Sequence, residues 1–115
     1  MSMVLREELS EGIVAITLNR PESLNALSPA LFSELNQIVT ELSKQTDSVG
    51  CVILRGAGRC FSAGNDLKAV RSGVKAKEKF FQAKTIDLIE KLPQPTIASV
   101  HGHCLTGALE LAIAC

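Results

Sequence analysis

What constrains this chain most is the order in which its hydrophobic pattern changes period. Val4 to Glu8 and Gly12 to Leu18 read as two strands around a Leu9-Ser10-Glu11-Gly12 turn, with the β-branched run Ile13-Val14-Ala15-Ile16-Thr17 carrying the stronger signal. The stretch 19–27 reads as an irregular loop, because Pro21 has no N–H to give a sheet and the Asn and Ser side chains favour turns. The period then changes. Ser28 as N-cap, Pro29 at the first helical position and Leu31, Leu35, Ile38, Val39 and Leu42 predict an amphipathic helix to about Lys44. Cys51-Val52-Ile53-Leu54-Arg55 follows as a buried strand, closed by the glycine-rich turn Gly56-Ala57-Gly58-Arg59. The order β-β-α-β therefore opens the fold.

Beyond it, a helical turn begins near Asp66 and a longer helix is expected from Ala76 to Leu92, its broad apolar face made by Phe80, Phe81, Ala83, Ile86, Leu88 and Ile89. Pro93 and Pro95 end it. Thr96 to Val100 reads as a strand, 101–104 as a turn and Thr106 to Cys115 as a strongly apolar helix. There is no internal repeat, low-complexity tract or linker, and 115 residues are the length of one modest domain. Cys115 falls inside an uncapped apolar helix, so the expectation is a truncated chain.

Composition removes several functions. Twelve Lys and Arg balance twelve Asp and Glu, leaving no field to gather nucleic acid or an acidic membrane surface. Apolar runs fall well short of the roughly 20 residues that span a bilayer. Acids appear early in the N-terminal segment and no apolar core region precedes them, which fits neither a secretory signal nor a transit peptide; the expectation is a cytoplasmic protein, with a matured organelle protein as the alternative. Cys51, Cys60, Cys104 and Cys115 form no C-x-x-C pair and read as reduced, mostly buried thiols. A metal site drawn from His101, His103, Cys104 and either Cys60 or Cys115 matches no ligand spacing.

Two stretches have the make-up of a reactive site. Between Gly102 and Glu110 a strand end, a glycine and a helix start coincide, where unpaired backbone N–H groups collect and can face developing negative charge. Glu110 lies one turn beyond Gly107 and is the only charged residue after Lys91, which suggests either a function or a solvated glutamate at a helix start. Ser62-Ala63-Gly64-Asn65-Asp66-Leu67-Lys68 offers the same backbone chemistry, with Asp66 placed to cap the turn after it.

Three blocks together carry a family resemblance. Ile16-Thr17-Leu18-Asn19-Arg20-Pro21 with Leu24-Asn25-Ala26-Leu27, then Phe61 to Lys68, then Pro95 to Gly102 with Gly107-Ala108-Leu109-Glu110-Leu111-Ala112, resemble the enoyl-CoA hydratase/isomerase (crotonase) family in order. The resemblance implies an α/β fold, a spiral of repeated β-β-α units, of which residues 1–115 would be the N-terminal part of a single domain. It implies an acyl-CoA thioester substrate, no cofactor beyond the coenzyme A that the substrate carries, and assembly as a homotrimer or dimer of trimers. It also implies that the N–H groups of Asn65 and Gly107 hold the thioester oxygen as it becomes an enolate, and that Glu110 is one of two glutamates handling water and a proton. Leu24, Ala26, Ala63, Gly64, Leu67 and Lys68 match the places where the family grips coenzyme A.

Two positions depart from the hydratase pattern. Thr106-Gly107-Ala108 stands where a run of glycines is common, and Asn65 where a small apolar residue is common; the latter resembles some isomerases of the family. The second hydratase glutamate would fall beyond Cys115. The leading expectation is addition of water across a 2-enoyl-CoA, with Δ3,Δ2-enoyl-CoA isomerisation and a non-catalytic acyl-CoA-binding or scaffold role as alternatives.

Overall fold

The computed structural model describes residues 2–74 and 79–115. Strands β1 (Val4–Ser10), β2 (Ile13–Leu18), β3 (Cys51–Gly56) and β4 (Thr96–Ser99) form one sheet in the order β1-β2-β3-β4. The first pair is an antiparallel hairpin, while β2 pairs with β3 and β3 with β4 in parallel. Parallel neighbours need crossovers. Helix α1 (Pro29–Ser43) lies between β2 and β3 in the chain, and α2 (Leu67–Arg71) with α3 (Phe81–Glu90) between β3 and β4; α4 (Gly107–Ile113) follows the sheet.

Helix α1 starts where expected. Ser28 is extended, its Oγ accepts from the Leu31 N–H at 3.2 Å, and Pro29 occupies the first helical turn. Leu31, Phe32, Leu35, Val39 and Leu42 recur at helical spacing and are buried against Val4, Val14, Ile16, Leu18, Val52 and Leu54 of the sheet, with Ile89 of α3 and Ala108 and Leu111 of α4 in the same core. At the far end of α1 the buried Gln94 donates its Nε2 to the Leu42 carbonyl at 2.6 Å, satisfying one of the helix's orphan acceptors. On the other face of the sheet Thr17 donates its hydroxyl to Glu7 at 2.7 Å and accepts from Arg55 Nε at 3.1 Å, while Arg55 Nη2 pairs with Glu7 at 3.2 Å. The Thr17 hydroxyl, then Arg55, hold the Glu7 carboxyl below its ordinary range.

Several expected boundaries shift. The first hairpin strand runs on to Ser10 and the second begins at Ile13 instead of Gly12, because Gly12 takes φ +79° in the turn and lets Ser10 pair with Ile13. Phe80 is not on the apolar face of α3: it caps the helix in a left-handed conformation and is 69% exposed, and Ala83 also faces solvent. The expected start of that helix at Ala76 lies outside the described residues. Strand β4 stops at Ser99, and α4 ends at Ile113 instead of Cys115. Thr106 stands outside α4, at φ +47° and ψ −112°. All four cysteines are free. No helix among the described residues is long and apolar enough to cross a membrane.

Candidate active site

The site is organised by an irregular segment that pairs on both sides without joining the main sheet. Along one side, Ala63 N–H donates to the Leu24 carbonyl, Leu27 N–H to Gly64 and Asp66 N–H to Leu27, at 2.8–2.9 Å. Along the other, Phe61 N–H donates to the His101 carbonyl at 2.7 Å, Ser62 N–H to His103 at 3.0 Å and Leu105 N–H to Ser62 at 3.3 Å. Residues 61–66 thus lie between the loop before α1 and the turn before α4, and the three blocks of the family resemblance meet here.

Asn25 makes this arrangement possible. It is fully buried and left-handed at φ +53°, a conformation asparagine tolerates better than most residues. Its Oδ1 accepts from Arg20 N–H at 2.7 Å, and its Nδ2 faces the carbonyls of Ala57, Cys60 and Phe61 at 2.9, 3.0 and 3.1 Å. Ser62 completes the knot, donating its hydroxyl to the Asn25 carbonyl at 2.7 Å while accepting from Gly64 N–H at 3.1 Å. The glycines admit the close approaches. Gly64 has φ +96°, and a Cβ there would lie 2.7 Å from the Leu105 carbonyl oxygen.

Two amides are left over. Gly64 N–H and Asp66 N–H are engaged, and Ala108 N–H donates to the Leu105 carbonyl at 2.9 Å. Among the described residues neither the Asn65 N–H between the first two nor the Gly107 N–H that opens α4 has a backbone or side-chain acceptor. The two residues are in contact: a Cβ added to Gly107 would lie 2.6 Å from Asn65 Oδ1, 2.9 Å from Gln82 Nε2 and 3.3 Å from Leu27 Cδ1. Two unpaired donors from separate loops, one at a helix start, make an arrangement suited to an oxygen that gains negative charge. Glu110 follows one turn along α4 and is exposed.

Two recesses meet at Asp66, and Asn65 lines the first of them. The first, about 110 Å³, is walled by Leu27, Phe32, Val70, Val74 and Phe81, with Asn65, Asp66 and Gln82 as its polar lining. The second is an open groove of about 390 Å³ that gathers Leu24, Ala26, Leu67 and Lys68 with the guanidinium groups of Arg20 and Arg59. Ala63 and Gly64 do not line that groove; their backbones staple the segment that does. Glu110 lines neither recess.

Asp66 fixes the wall the two recesses share. Its Oδ1 accepts from Lys68 and Ala69 N–H at 3.0 and 3.2 Å, capping α2, and its Oδ2 meets Arg20 Nη1 at 3.1 Å. Arg20 Nη1 also donates to the Ala26 carbonyl at 2.8 Å. The Ala69 amide and, after it, Arg20 hold the Asp66 carboxyl below its ordinary range against the opposing effect of burial. Burial pushes the Cys104 thiol up, which makes it a poorer nucleophile. His101 Nε2 sits 2.7 Å from the Gly58 carbonyl oxygen, and no three His, Cys, Asp or Glu residues among the described residues converge as a metal site would require.

Residues 8–115 match the family described as enoyl-CoA hydratase/isomerase. The chain belongs to this family. The structure of an enoyl-CoA hydratase/isomerase from Xanthobacter autotrophicus Py2 superposes with a TM-score of 0.85 at 42% identity, covering 99% of this chain and 44% of that one. The hydroxycinnamoyl-CoA hydratase-lyase of Pseudomonas fluorescens is 34% identical over 119 residues, 96% of this chain and 43% of that protein. The mitochondrial Delta(3,5)-Delta(2,4)-dienoyl-CoA isomerase of Rattus norvegicus is 33% identical over 117 residues, 90% of this chain and 36% of that protein. The chain thus spans about two fifths of the length of the curated relatives it matches. Hydratases and isomerases both stand among its relatives, and its solved neighbours share the crotonase fold expected from the sequence.

The sequence reading missed Gln82, Arg59 and the pairing role of Asn25. Nothing in one sequence marks Gln82, a polar residue on a helix, as touching Gly107. Asn25 carried a faint signal, an asparagine in a loop after a proline, where side-chain-to-backbone bonds are common.

Proposed function

We propose that this chain carries the oxyanion-binding half of an acyl-CoA active site, and that the protein adds water across the double bond of a 2-enoyl-CoA thioester. The observation that supports this reading is the contact between Asn65 and Gly107, each with an unpaired N–H, from two loops brought together by residues 61–66. Both amides donate to the thioester oxygen. As that oxygen takes up negative charge, C3 of the conjugated bond becomes electrophilic, a water oxygen bonds to C3 and a proton is delivered to C2. Donors fixed in place before the charge develops pay no reorganisation in the transition state. Glu110 acts on the water or the proton, together with a second carboxylate outside these residues.

The groove of Leu24, Ala26, Leu67 and Lys68 holds coenzyme A, with Arg59 and Lys68 available to its phosphates and Ala63 and Gly64 shaping the passage to the amides. Coenzyme A arrives as part of the substrate, and no other cofactor takes part. The family resemblance supports a homotrimer or dimer of trimers, which sedimentation velocity tests.

One observation favours a second reading. Asn65 stands at a donor position where hydratases of the family commonly carry a small apolar residue, and an isomerase stands among the relatives. On that reading a dienolate, held by the same two amides, forms when a proton leaves C2 of a 3-enoyl-CoA, and a proton is returned at C4. The test is to offer the intact protein 2-butenoyl-CoA and 3-butenoyl-CoA separately and identify the products. Formation of 3-hydroxybutanoyl-CoA from the first supports hydration, whereas conversion of the second without hydration supports isomerisation. Glu110→Gln lowers hydration by about 100-fold with little loss of binding; near-unchanged turnover removes Glu110 from the mechanism.

A further inference from the structure

The recess beside the two amides has a polar edge that the proposed chemistry does not use. Gln82 Nε2 donates to Asn65 Oδ1 at 3.2 Å, joining α3 to the loop that carries the Asn65 N–H. Each side-chain amide has both donor and acceptor capacity. Among the described residues Asn65 Nδ2 and Gln82 Oε1 have no partner. Exchanging O and N in both amides reverses the roles but still leaves one donor and one acceptor, so the point does not depend on which way either amide is turned. The remaining lining is apolar, except for Asp66, whose two oxygens are occupied by the start of α2 and by Arg20. Among the described residues no lysine or arginine lines the recess.

We propose that Asn65 and Gln82 form an amide edge that selects short acyl chains bearing a neutral hydroxyl group over hydrocarbon chains and over carboxylate-bearing ones. The proposal rests on the acyl-CoA reading above and names the substrate class of the same site. A hydroxyl both donates and accepts, so it completes Asn65 Nδ2 and Gln82 Oε1 together. A methyl group at the same place strips water from both amides and returns nothing. A carboxylate meets one donor but also the Gln82 oxygen and the Asp66 carboxylate, with no cation among the described lining residues to offset its desolvation. The position of the edge is set by Gly107: the missing Cβ is what allows the Asn65 and Gln82 side chains to approach the helix start, so the pair lies next to the amide that receives the thioester. The cavity of about 110 Å³ fits a short chain.

The test is titration calorimetry of the intact protein with a series of four-carbon chains, butanoyl-CoA, 4-hydroxybutanoyl-CoA and succinyl-CoA. The expected order is 4-hydroxybutanoyl-CoA tightest, by roughly three- to tenfold over butanoyl-CoA, with succinyl-CoA weakest. Gln82→Met keeps the side-chain length and removes the amide. In that variant the hydroxyl preference collapses to within about twofold while butanoyl-CoA binds at least as tightly as in the wild type, because it no longer desolvates the Gln82 amide, which also shows the recess intact. Butanoyl-CoA binding as well as or better than the hydroxylated chain in the wild type overturns the inference and leaves the acyl-CoA reading standing. Equal hydroxyl preference in wild type and Gln82→Met overturns the role of the amide pair. Failure of all three thioesters to bind overturns the acyl-CoA reading and this inference with it.

Discussion

Replacing Asn25 by Ala tests whether the site depends on one buried side chain. The substitution removes the acceptor for Arg20 N–H and the donor shared by the carbonyls of Ala57, Cys60 and Phe61. An amide nitrogen has two hydrogens, so of those three carbonyls two lose a full partner. Together with the Arg20 N–H that makes three groups left unpaired, each costing about 1–3 kcal/mol when buried. A water admitted to the vacated space restores part of the pairing and lowers the upper end from about 9, so roughly 3–6 kcal/mol is expected from this source. Alanine at φ +53° adds about 1–2 kcal/mol. The sum is comparable with the whole stability of a typical domain, about 5–15 kcal/mol. Asn25→Gly loses the same bonds but not the left-handed penalty, and after the entropy cost of glycine it should be about 1 kcal/mol milder than Asn25→Ala. Urea denaturation followed by circular dichroism measures both. A loss below about 1 kcal/mol for Asn25→Ala would refute the assignment of those bonds. Equal losses in the two variants would refute the contribution of the backbone conformation.

Other substitutions test separate parts of the argument. Gly56→Ala would put a Cβ 2.5 Å from the Phe61 carbonyl oxygen, 2.6 Å from that of Cys60 and 2.8 Å from Phe61 Cα. All three are backbone atoms, so a loss of at least about 3 kcal/mol is expected in the same denaturation assay. Thr106→Gly relieves a β-branched residue at φ +47° and ψ −112°. Relief of about 1–3 kcal/mol against a glycine cost of about 0.5–1 predicts a higher urea midpoint, and a lower one counts against strain at that peptide. Asp66 has a folded pKa below its unfolded value, so its contribution is present above the ordinary carboxylate range and is lost as pH falls through the lower folded pKa. Asp66→Asn keeps an oxygen for the cap but does not titrate, so its stability should fall less steeply than wild type between about pH 5 and pH 2.

The parts of the fold legible in the sequence are those set by local rules. Ser28-Pro29 marked the start of α1 because both the cap and the proline act within one turn, and the apolar spacing from Leu31 to Leu42 follows directly from helical geometry. Strand β2 was legible because its β-branched residues are buried on both faces. The limits of α3 were not: Phe80 has the composition of a core residue, but the turn before the helix needs it in a left-handed conformation that points it to solvent. Thr106 was read as helical for a similar reason, since nothing in a Thr-Gly pair shows which residue makes the turn. Of the candidate site, the glycines and Asp66 were legible from local chemistry, whereas Gln82 and Arg59 enter only through contacts between distant segments.

The pairing of residues 61–66 explains why the donors fall at Asn65 and Gly107. Phe61 and Ser62 give their N–H groups to the turn before α4, Ala63 and Asp66 give theirs to the loop before α1, and Gly64, at φ +96°, turns the chain so that the next amide leaves both pairings. Ser62 prevents the turn itself from costing a second orphan, because its hydroxyl takes the Gly64 N–H. On the facing side, α4 begins at Gly107, and a helix start always leaves amides without an intrahelical acceptor. The two vacancies therefore have different physical origins, a turn out of irregular pairing and a helix terminus. They come together because Gly64 packs against Leu105 and Thr106 while Gly107 packs against Asn65. A side chain at Gly64 would force the two loops apart, and one at Gly107 would push the Asn65 and Gln82 amides away from the helix start, which makes those two glycines, more than any charged group, the condition for an oxygen-binding site here.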